Sequence, residues 1–189
     1  VYMATSKSII ENFRKNGFQL LGAGCYAAVF DSKVDPNLVY KIGSTVNDPF
    51  LAYISLRDTL KDNPHFPKIY NVYVDTENDW YLVRMESLTS VEFHNRTIIK
   101  TISQLIKGEC SDKVSDDLAT ITSEIAALLE RHDEMQLDLH SSNVMMRGLV
   151  PVITDPISEL DIPTNQDVES WLFSGDTDAE SYRRSLCSA

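Results

Sequence analysis

The sequence is short of cysteine and has no long hydrophobic run, and each absence excludes a class of protein. The 189 residues contain three cysteines, Cys25, Cys110 and Cys187. They are far apart and form no CxxC pair, so neither a disulfide framework nor a zinc site is expected, and a reducing, cytoplasmic setting fits. No apolar stretch approaches the ~18 residues that a membrane span requires. The N-terminus also lacks the apolar segment of a signal peptide.

Basic residues are scarce relative to acidic ones. The chain has 17 Lys and Arg against 28 Asp and Glu, a formal net charge of −11. Because the phosphate backbone would repel such a chain, direct binding to nucleic acid is not expected. A single nucleotide could still bind where local groups and a metal ion overcome that field. The hydrophobic content of 43% is ordinary for a globular protein, and the length allows one core or two small lobes around a cleft.

Strand patterns dominate the first half of the sequence. Residues 6–17 read as a short opening helix that ends at a glycine. Predicted strands follow: two across a glycine turn in 18–31, one at 37–43, and a hairpin over 69–75 and 80–86. Asp48 and Pro49 look like the cap and first turn of a helix over 48–60.

The second half of the sequence has mainly helical spacing. Apolar residues recur at three and four positions over 90–106 and 115–132, which predicts two helices. Short strands are predicted on either side of Arg147-Gly148, and two short helices in an otherwise irregular, acidic tail after Ile157. The pattern indicates an α+β protein with a strand-rich lobe over 1–86 and a helix-rich lobe over 87–189.

Two glycines and one lysine in the strand-rich half suggest a phosphate site. Gly22 and Gly24 lie at a strand–strand turn, where glycine lets the backbone approach a ligand and amides can face phosphate oxygens. A plain hairpin turn explains two glycines equally well. Lys41 shares a strand face with Val39, so it is expected to be buried, and a buried lysine requires an anionic partner. An exposed lysine on an edge strand is the alternative.

Three oxygen-bearing side chains occur close together near the end of the second half. Asp138 and Asn143 are five residues apart, and Asp155 ends a predicted strand twelve residues later. Carboxylate and amide oxygens suit Mg²⁺, which takes a few protein ligands together with phosphates and water. Each aspartate alone could be a turn or cap residue. Together they predict a phosphate and metal site.

The full order of these motifs resembles the protein-kinase signature. That order is Gly-x-Gly-x-x-Ala-x-Val, a strand lysine, Asp-x-x-x-x-Asn and a strand-ending Asp. More narrowly, residues 20–43 and 137–158 look like the kinase domain of the early host-modifying serine/threonine kinase of T7-like bacteriophages. The resemblance implies a minimal two-lobed kinase-like fold, with an N-terminal antiparallel sheet and a reduced helical C-terminal lobe. It also implies the use of ATP and Mg²⁺, host bacterial proteins as substrates, and a location in the cytoplasm of the infected cell.

The resemblance assigns a role to each matching residue. Lys41 would hold the α- and β-phosphates, Met85 would back the adenine, and the backbone from Glu86 to Leu88 would pair with the base. Asp138 would orient and deprotonate the acceptor hydroxyl, with His140 near the γ-phosphate. The remaining residues would form the loop over ATP or hold Mg²⁺: Gly22, Gly24, Ala27 and Val29 for the loop, Asn143 and Asp155 for the metal.

Several positions depart from the kinase pattern. Leu137 replaces the usual arginine before the catalytic aspartate, and Pro156 replaces the phenylalanine after the metal aspartate. The predicted helix over 48–60 has no glutamate to pair with Lys41, and Asp58 is poorly placed for it. Two other functions therefore remain open. One is a nucleotide-binding pseudokinase that blocks a host protein, and the other is a small-molecule phosphotransferase.

Overall fold

A computed structural model describes residues 6–24, 26–46, 48–91, 96–109 and 113–160. Within these residues the chain forms two compact units. The first consists of 6–48 and 70–85, and the second of 49–69 and 86–160. Of the described residues, no helix combines the length and the apolar character needed to cross a membrane.

The first unit is built on a five-stranded sheet in the order β1-β2-β3-β5-β4. The strands are β1 Leu20–Ala23, β2 Ala27–Asp31, β3 Leu38–Ser44, β4 Ile69–Asp75 and β5 Trp80–Glu86. Strands β1 and β2, and β2 and β3, pair antiparallel. Helix α1, Ser6–Lys15, packs Ile10 against buried Phe30 and Ile42 of the sheet. These elements confirm the strands and the opening helix predicted from the sequence.

Strand β3 contains a glycine that the packing requires. A Cβ added at Gly43 would overlap the ring and hydroxyl of Tyr81, whose side chain is fully buried. We predict that Gly43→Ala destabilises the protein by about 1–3 kcal/mol, because the ring must move within a packed core. In thermal unfolding, the melting temperature should fall by roughly 2–4 °C for each kcal/mol of lost stability. Gly24→Ala is the control, since its added Cβ meets no described atom within 4 Å. Equal melting temperatures for the two variants would contradict the prediction.

The second unit combines four helices with two small sheets in its described residues. The helices are α2 Phe50–Ile54, α3 Arg57–Leu60, α4 Arg96–Ile106 and α5 Asp116–Glu130. The strands are β6 Thr89–Ser90, β7 Met135–Leu137, β8 Val144–Arg147, β9 Val150–Ile153 and β10 Ile157–Glu159. Strand β7 pairs with β10, and the other sheet has the order β6-β8-β9. Helix α5 begins at Ser115, whose hydroxyl accepts a hydrogen bond from the Leu118 amide at 3.2 Å.

The structure corrects the predicted helix over 48–60. Two short helices, α2 and α3, replace it, and Pro49 occupies the N-cap of α2 without a side-chain capping bond. The segment 49–69 belongs to the second unit, not to the strand-rich part as predicted. Buried Tyr53 explains this, because its ring lies 5.2 Å from that of Phe66 and its hydroxyl donates to the Ile153 carbonyl at 2.7 Å.

Three strands of the second unit, β6, β7 and β10, were not predicted, and β6 has only two residues. The residues after Ile157 were expected to be irregular, but they begin with β10, which pairs Ile157 with Leu137 of β7. Strands β7 and β10 have three residues each, which is too short for an alternating pattern to be visible in the sequence. The two short helices predicted at 166–173 and 179–184 lie outside the described residues.

Candidate active site

The first unit places the predicted glycine turn beside the predicted lysine strand. Gly22 of β1 faces Val29 of β2, and Val29 in turn faces Lys41 of β3. The side chains of Val29 and Lys41 therefore project from the same face of the sheet. The opposite face carries Phe30 and Ile42, which pack with α1. The strand register thus aligns three residues that the sequence places far apart.

The two glycines of the turn are not required by the protein's own packing. Among the residues that the structure describes, no heavy atom lies within 4 Å of a Cβ built at Gly22 or Gly24. Neither glycine has the positive φ that excludes other residues, and the Gly24 amide donates to the Ala27 carbonyl at 2.8 Å. Open space over a glycine backbone suits the close approach of a ligand.

Lys41 is buried, as its strand position predicted, and it lies beside a carboxylate. Its Nζ is 4.0 Å from Oδ2 of Asp48, and the two side chains are only 8% and 6% exposed. The hydroxyl of buried Tyr81 donates to the same Oδ2. In the sequence Asp48 resembles a helix cap, and for that reason it was not predicted as the acidic partner of this lysine.

Met85 is buried in β5, and the residue after it bonds within the second unit. The Glu86 amide donates to the Lys68 carbonyl at 3.0 Å, so this backbone group is already used in the protein. The Glu86 carboxylate accepts from the Lys68 amide at 2.7 Å and from Arg147 Nε at 2.9 Å. Arg147 also donates to the Pro64 carbonyl at 2.7 Å. The resemblance assigned only the backbone from Glu86 to half-buried Leu88, as the part that pairs with the base. No signal in the sequence indicated the ion pair between Glu86 and Arg147.

Asp138 is positioned by strand pairing in the second unit. It follows β7 directly, a strand that was not predicted from the sequence. Its amide donates to the Pro156 carbonyl at 2.8 Å, continuing the pairing of β7 with β10. The side-chain amide of Asn143 donates to the Asp138 carbonyl at 2.8 Å and lies 3.4 Å from Oδ2. The carboxylate is partly exposed, which leaves it accessible to a substrate.

Asn143 and Asp155 meet at the open end of the β8–β9 hairpin. The register pairs Val144 with Ile153, so the residues that flank the hairpin are neighbours. The Asn143 carbonyl accepts from the Thr154 amide at 2.8 Å and from the Asp155 amide at 3.4 Å. These backbone contacts make Asn143 and Asp155 neighbours, and amide and carboxylate oxygens are the donors that Mg²⁺ takes together with phosphates and water. In the described part of the chain no cluster of three His, Cys, Asp or Glu side chains could hold a metal.

Tyr53 supports the strand that leads to Asp155. Burial, and to a smaller extent the negative charge of Asp155, raise the pKa of the Tyr53 hydroxyl well above its usual value. The hydroxyl therefore remains protonated and donates to the Ile153 carbonyl, two residues before Asp155. The sequence contains no signal that would have associated Tyr53 with this site.

His140 lies on the exposed side of the same loop. Its Nε2 is 3.8 Å from Asp138 Oδ2 and 2.9 Å from the Asn143 side-chain nitrogen. The Ser142 amide donates to Nδ1 at 3.2 Å, which holds the ring in place. An open cleft of about 580 Å³ adjoins this loop, and its lining residues include Lys100 of α4 and Lys107, the residue after that helix.

The predicted residues thus form two groups. The second unit brings together Asp138, His140, Asn143 and Asp155, whereas Gly22, Gly24, Ala27, Val29, Lys41 and Met85 belong to the first. The roles that the resemblance assigns to these residues stay predictions.

Comparisons with known proteins give a family and several solved structures that the chain resembles. A family model described as bacteriophage T7 protein kinase 0.7 matches residues 2–176. No curated protein matches the chain. Among solved structures the chain is similar to PK-1, the kinase of the Cydia pomonella granulovirus, at 15% identity and a TM-score of 0.38. The similarity covers 82% of this chain and 57% of that one, so the chain spans less than two thirds of the granulovirus kinase.

Proposed function

The chain belongs to the bacteriophage T7 protein kinase 0.7 family, and on that premise we propose that it transfers the γ-phosphate of ATP to serine or threonine of host bacterial proteins. Its place of action is then the cytoplasm of the infected cell. The observation that carries the proposal is the cluster of Asp138, Asn143 and Asp155, held by backbone hydrogen bonds at adjoining strand ends. Phosphoryl transfer depends on positioning and charge stabilisation, for which such a cluster is suited.

The first unit supplies the nucleotide contacts in this proposal. The glycine turn of Gly22 and Gly24 covers the phosphates with its backbone amides, and Ala27 and Val29 complete the loop. Lys41 donates to the α- and β-phosphate oxygens. Met85 contacts the adenine. The polar contacts to the base come from backbone groups of Glu86 to Leu88 other than the Glu86 amide, which already donates to the Lys68 carbonyl. The buried state of Lys41 supports its part, since a buried ammonium group has a fixed direction.

The second unit supplies the metal ligands and the acceptor site. Asn143 and Asp155 would hold Mg²⁺, which neutralises charge on the phosphates when it is bound. Asp138 accepts a hydrogen bond from the acceptor hydroxyl and takes its proton as the new O–P bond forms. The bond between the γ-phosphorus and the β–γ bridging oxygen breaks in the same step, and ADP leaves. His140, beside Asp138, is placed to contact the γ-phosphate. Asn143 also orients Asp138 through its side-chain amide.

Two other functions remain to be separated from this one, and the structure bears on each differently. A pseudokinase was suggested by the missing helix glutamate, but Asp48 provides Lys41 with an acidic neighbour. A small-molecule phosphotransferase requires a pocket beside the catalytic loop, and the feature of the structure that favours it is the open cleft of about 580 Å³ next to His140. The measurement that separates these functions is therefore which class of molecule receives the phosphate.

The test is a transfer assay with bacterial lysate, Mg²⁺ and ATP that is labelled at the γ-phosphate. After the reaction the mixture is separated into a protein fraction and a small-molecule fraction, and the label in each is measured. We expect label on protein, recovered as phosphoserine or phosphothreonine after acid hydrolysis, and no transfer when EDTA removes the metal. Label confined to the small-molecule fraction would support the phosphotransferase. Nucleotide-dependent thermal stabilisation without any transfer would support the pseudokinase.

A further inference from the structure

We propose that Asp48 is the positioning residue that directs Lys41 toward the phosphates of ATP. This inference rests on the proposed function, in which Lys41 contacts those phosphates. Both side chains are almost fully buried, and Oδ2 of Asp48 is the carboxylate oxygen 4.0 Å from the lysine Nζ. Because a buried ammonium group is costly to hold without a nearby anion, the carboxylate limits where Nζ can lie.

The position of Asp48 is itself determined by the core of the first unit. The hydroxyl of Tyr81 donates to Asp48 Oδ2, and the Tyr81 side chain is fully buried in β5. Strand β3 neighbours β5, and the absence of a Cβ at Gly43 leaves the space that the Tyr81 hydroxyl occupies. The contacts are therefore linked: the space over Gly43 admits Tyr81, Tyr81 holds Asp48, and Asp48 lies beside Lys41.

The other acidic residue in the segment 48–60 does not have these properties. Protein kinases pair the strand lysine with a glutamate on the following helix, and this segment contains no glutamate. Its second acid, Asp58, has a side chain that is 91% exposed and lies 3.5 Å from Arg57. Of the two acids, only Asp48 is buried and near Lys41. We infer that the acidic partner of the lysine comes from the start of the segment and not from the body of a helix.

A positioning role predicts a selective effect on ligands. Lys41 contacts the phosphates and not the base, so losing the Asp48 charge should weaken ATP binding and leave adenosine binding intact. A purely structural role would weaken both ligands together. Comparing ATP with adenosine therefore separates positioning from general destabilisation.

The experiment measures the Kd of ATP and of adenosine by titration calorimetry, with Mg²⁺ present, for the wild type and Asp48→Asn. Asparagine has the same shape and can still accept from Tyr81, but it carries no charge. We expect the Kd for ATP to rise at least about tenfold and that for adenosine to change less than about twofold. Asp58→Asn is the matched control and should leave both values unchanged. Tyr81→Phe keeps the charges of Asp48 and Lys41, so it should cause a smaller loss of affinity, and only for ATP. If Asp48→Asn does not fold, this variant tests the positioning role instead.

The remaining outcomes overturn either the positioning role of Asp48 or the proposed function as a whole. An unchanged ATP affinity in Asp48→Asn, with normal binding by the wild type, overturns the positioning role alone. A parallel loss of ATP and adenosine affinity also overturns it, because it assigns Asp48 to folding. A wild-type protein without affinity for ATP overturns the proposed function, and the inference with it.

Discussion

Asp138→Asn is expected to lower the rate of phosphoryl transfer by about 10²–10⁴-fold, the usual contribution of a positioned general base. Asparagine keeps the shape of the side chain and can still accept a hydrogen bond from the side-chain amide of Asn143. It cannot take the proton of the acceptor hydroxyl. The measurement is kcat for transfer to lysate protein, or to an acceptor purified from it. The Kd for ATP should remain close to that of the wild type, because Asp138 acts on the acceptor and not on the nucleotide.

The matched control for Asp138 is a second aspartate close by in the sequence. Asp133 is exposed and lies between α5 and β7, outside the proposed site. Asp133→Asn should therefore retain the wild-type rate. If Asp138→Asn also retained that rate, the assignment of Asp138 as the base would be wrong. A variant that lost ATP affinity together with activity would indicate that Asp138 acts on the nucleotide.

Lys41→Met is the second substitution with a large expected effect. Methionine is also long and unbranched, so it can fill the buried position between the sheet and Asp48 while removing the charge. We expect kcat/KM for ATP to fall by about 10²–10³-fold, as when one preorganised donor to the transition state is removed. The measurement is the initial rate of transfer as a function of ATP concentration.

A surface lysine provides the control for Lys41. Lys61 is exposed at the C-cap of α3, and Lys61→Met should leave the rate unchanged. Both variants should show cooperative thermal unfolding, which confirms that the comparison is made between folded proteins. Retention of wild-type kcat/KM by Lys41→Met would remove Lys41 from the nucleotide site, and with it the proposed role of Asp48.

Much of the secondary structure could be predicted because it depends on local patterns. The helix that ends at Gly17 and the helix that begins after Ser115 carry their own stop and start signals. The first strands of the sheet and the hairpin on either side of Gly148 also follow from alternation and turn residues. The segment 48–60 was misjudged because Asp48-Pro49 is a good local cap, whereas Asp48 is held by contacts with Tyr81 and Lys41.

Residue type and spacing were enough to identify the residues that could carry the chemistry: a glycine turn, a strand lysine, and an Asp, Asn and Asp at fixed spacing. Only the tertiary structure decided the partners of those residues. Strand pairing brought Asp138, Asn143 and Asp155 together, and the space over Gly43 let Tyr81 reach Asp48. The physical reason is that caps, turns and strand alternation depend on neighbours along the chain. The partner of a buried charge is instead set by the packing of distant segments.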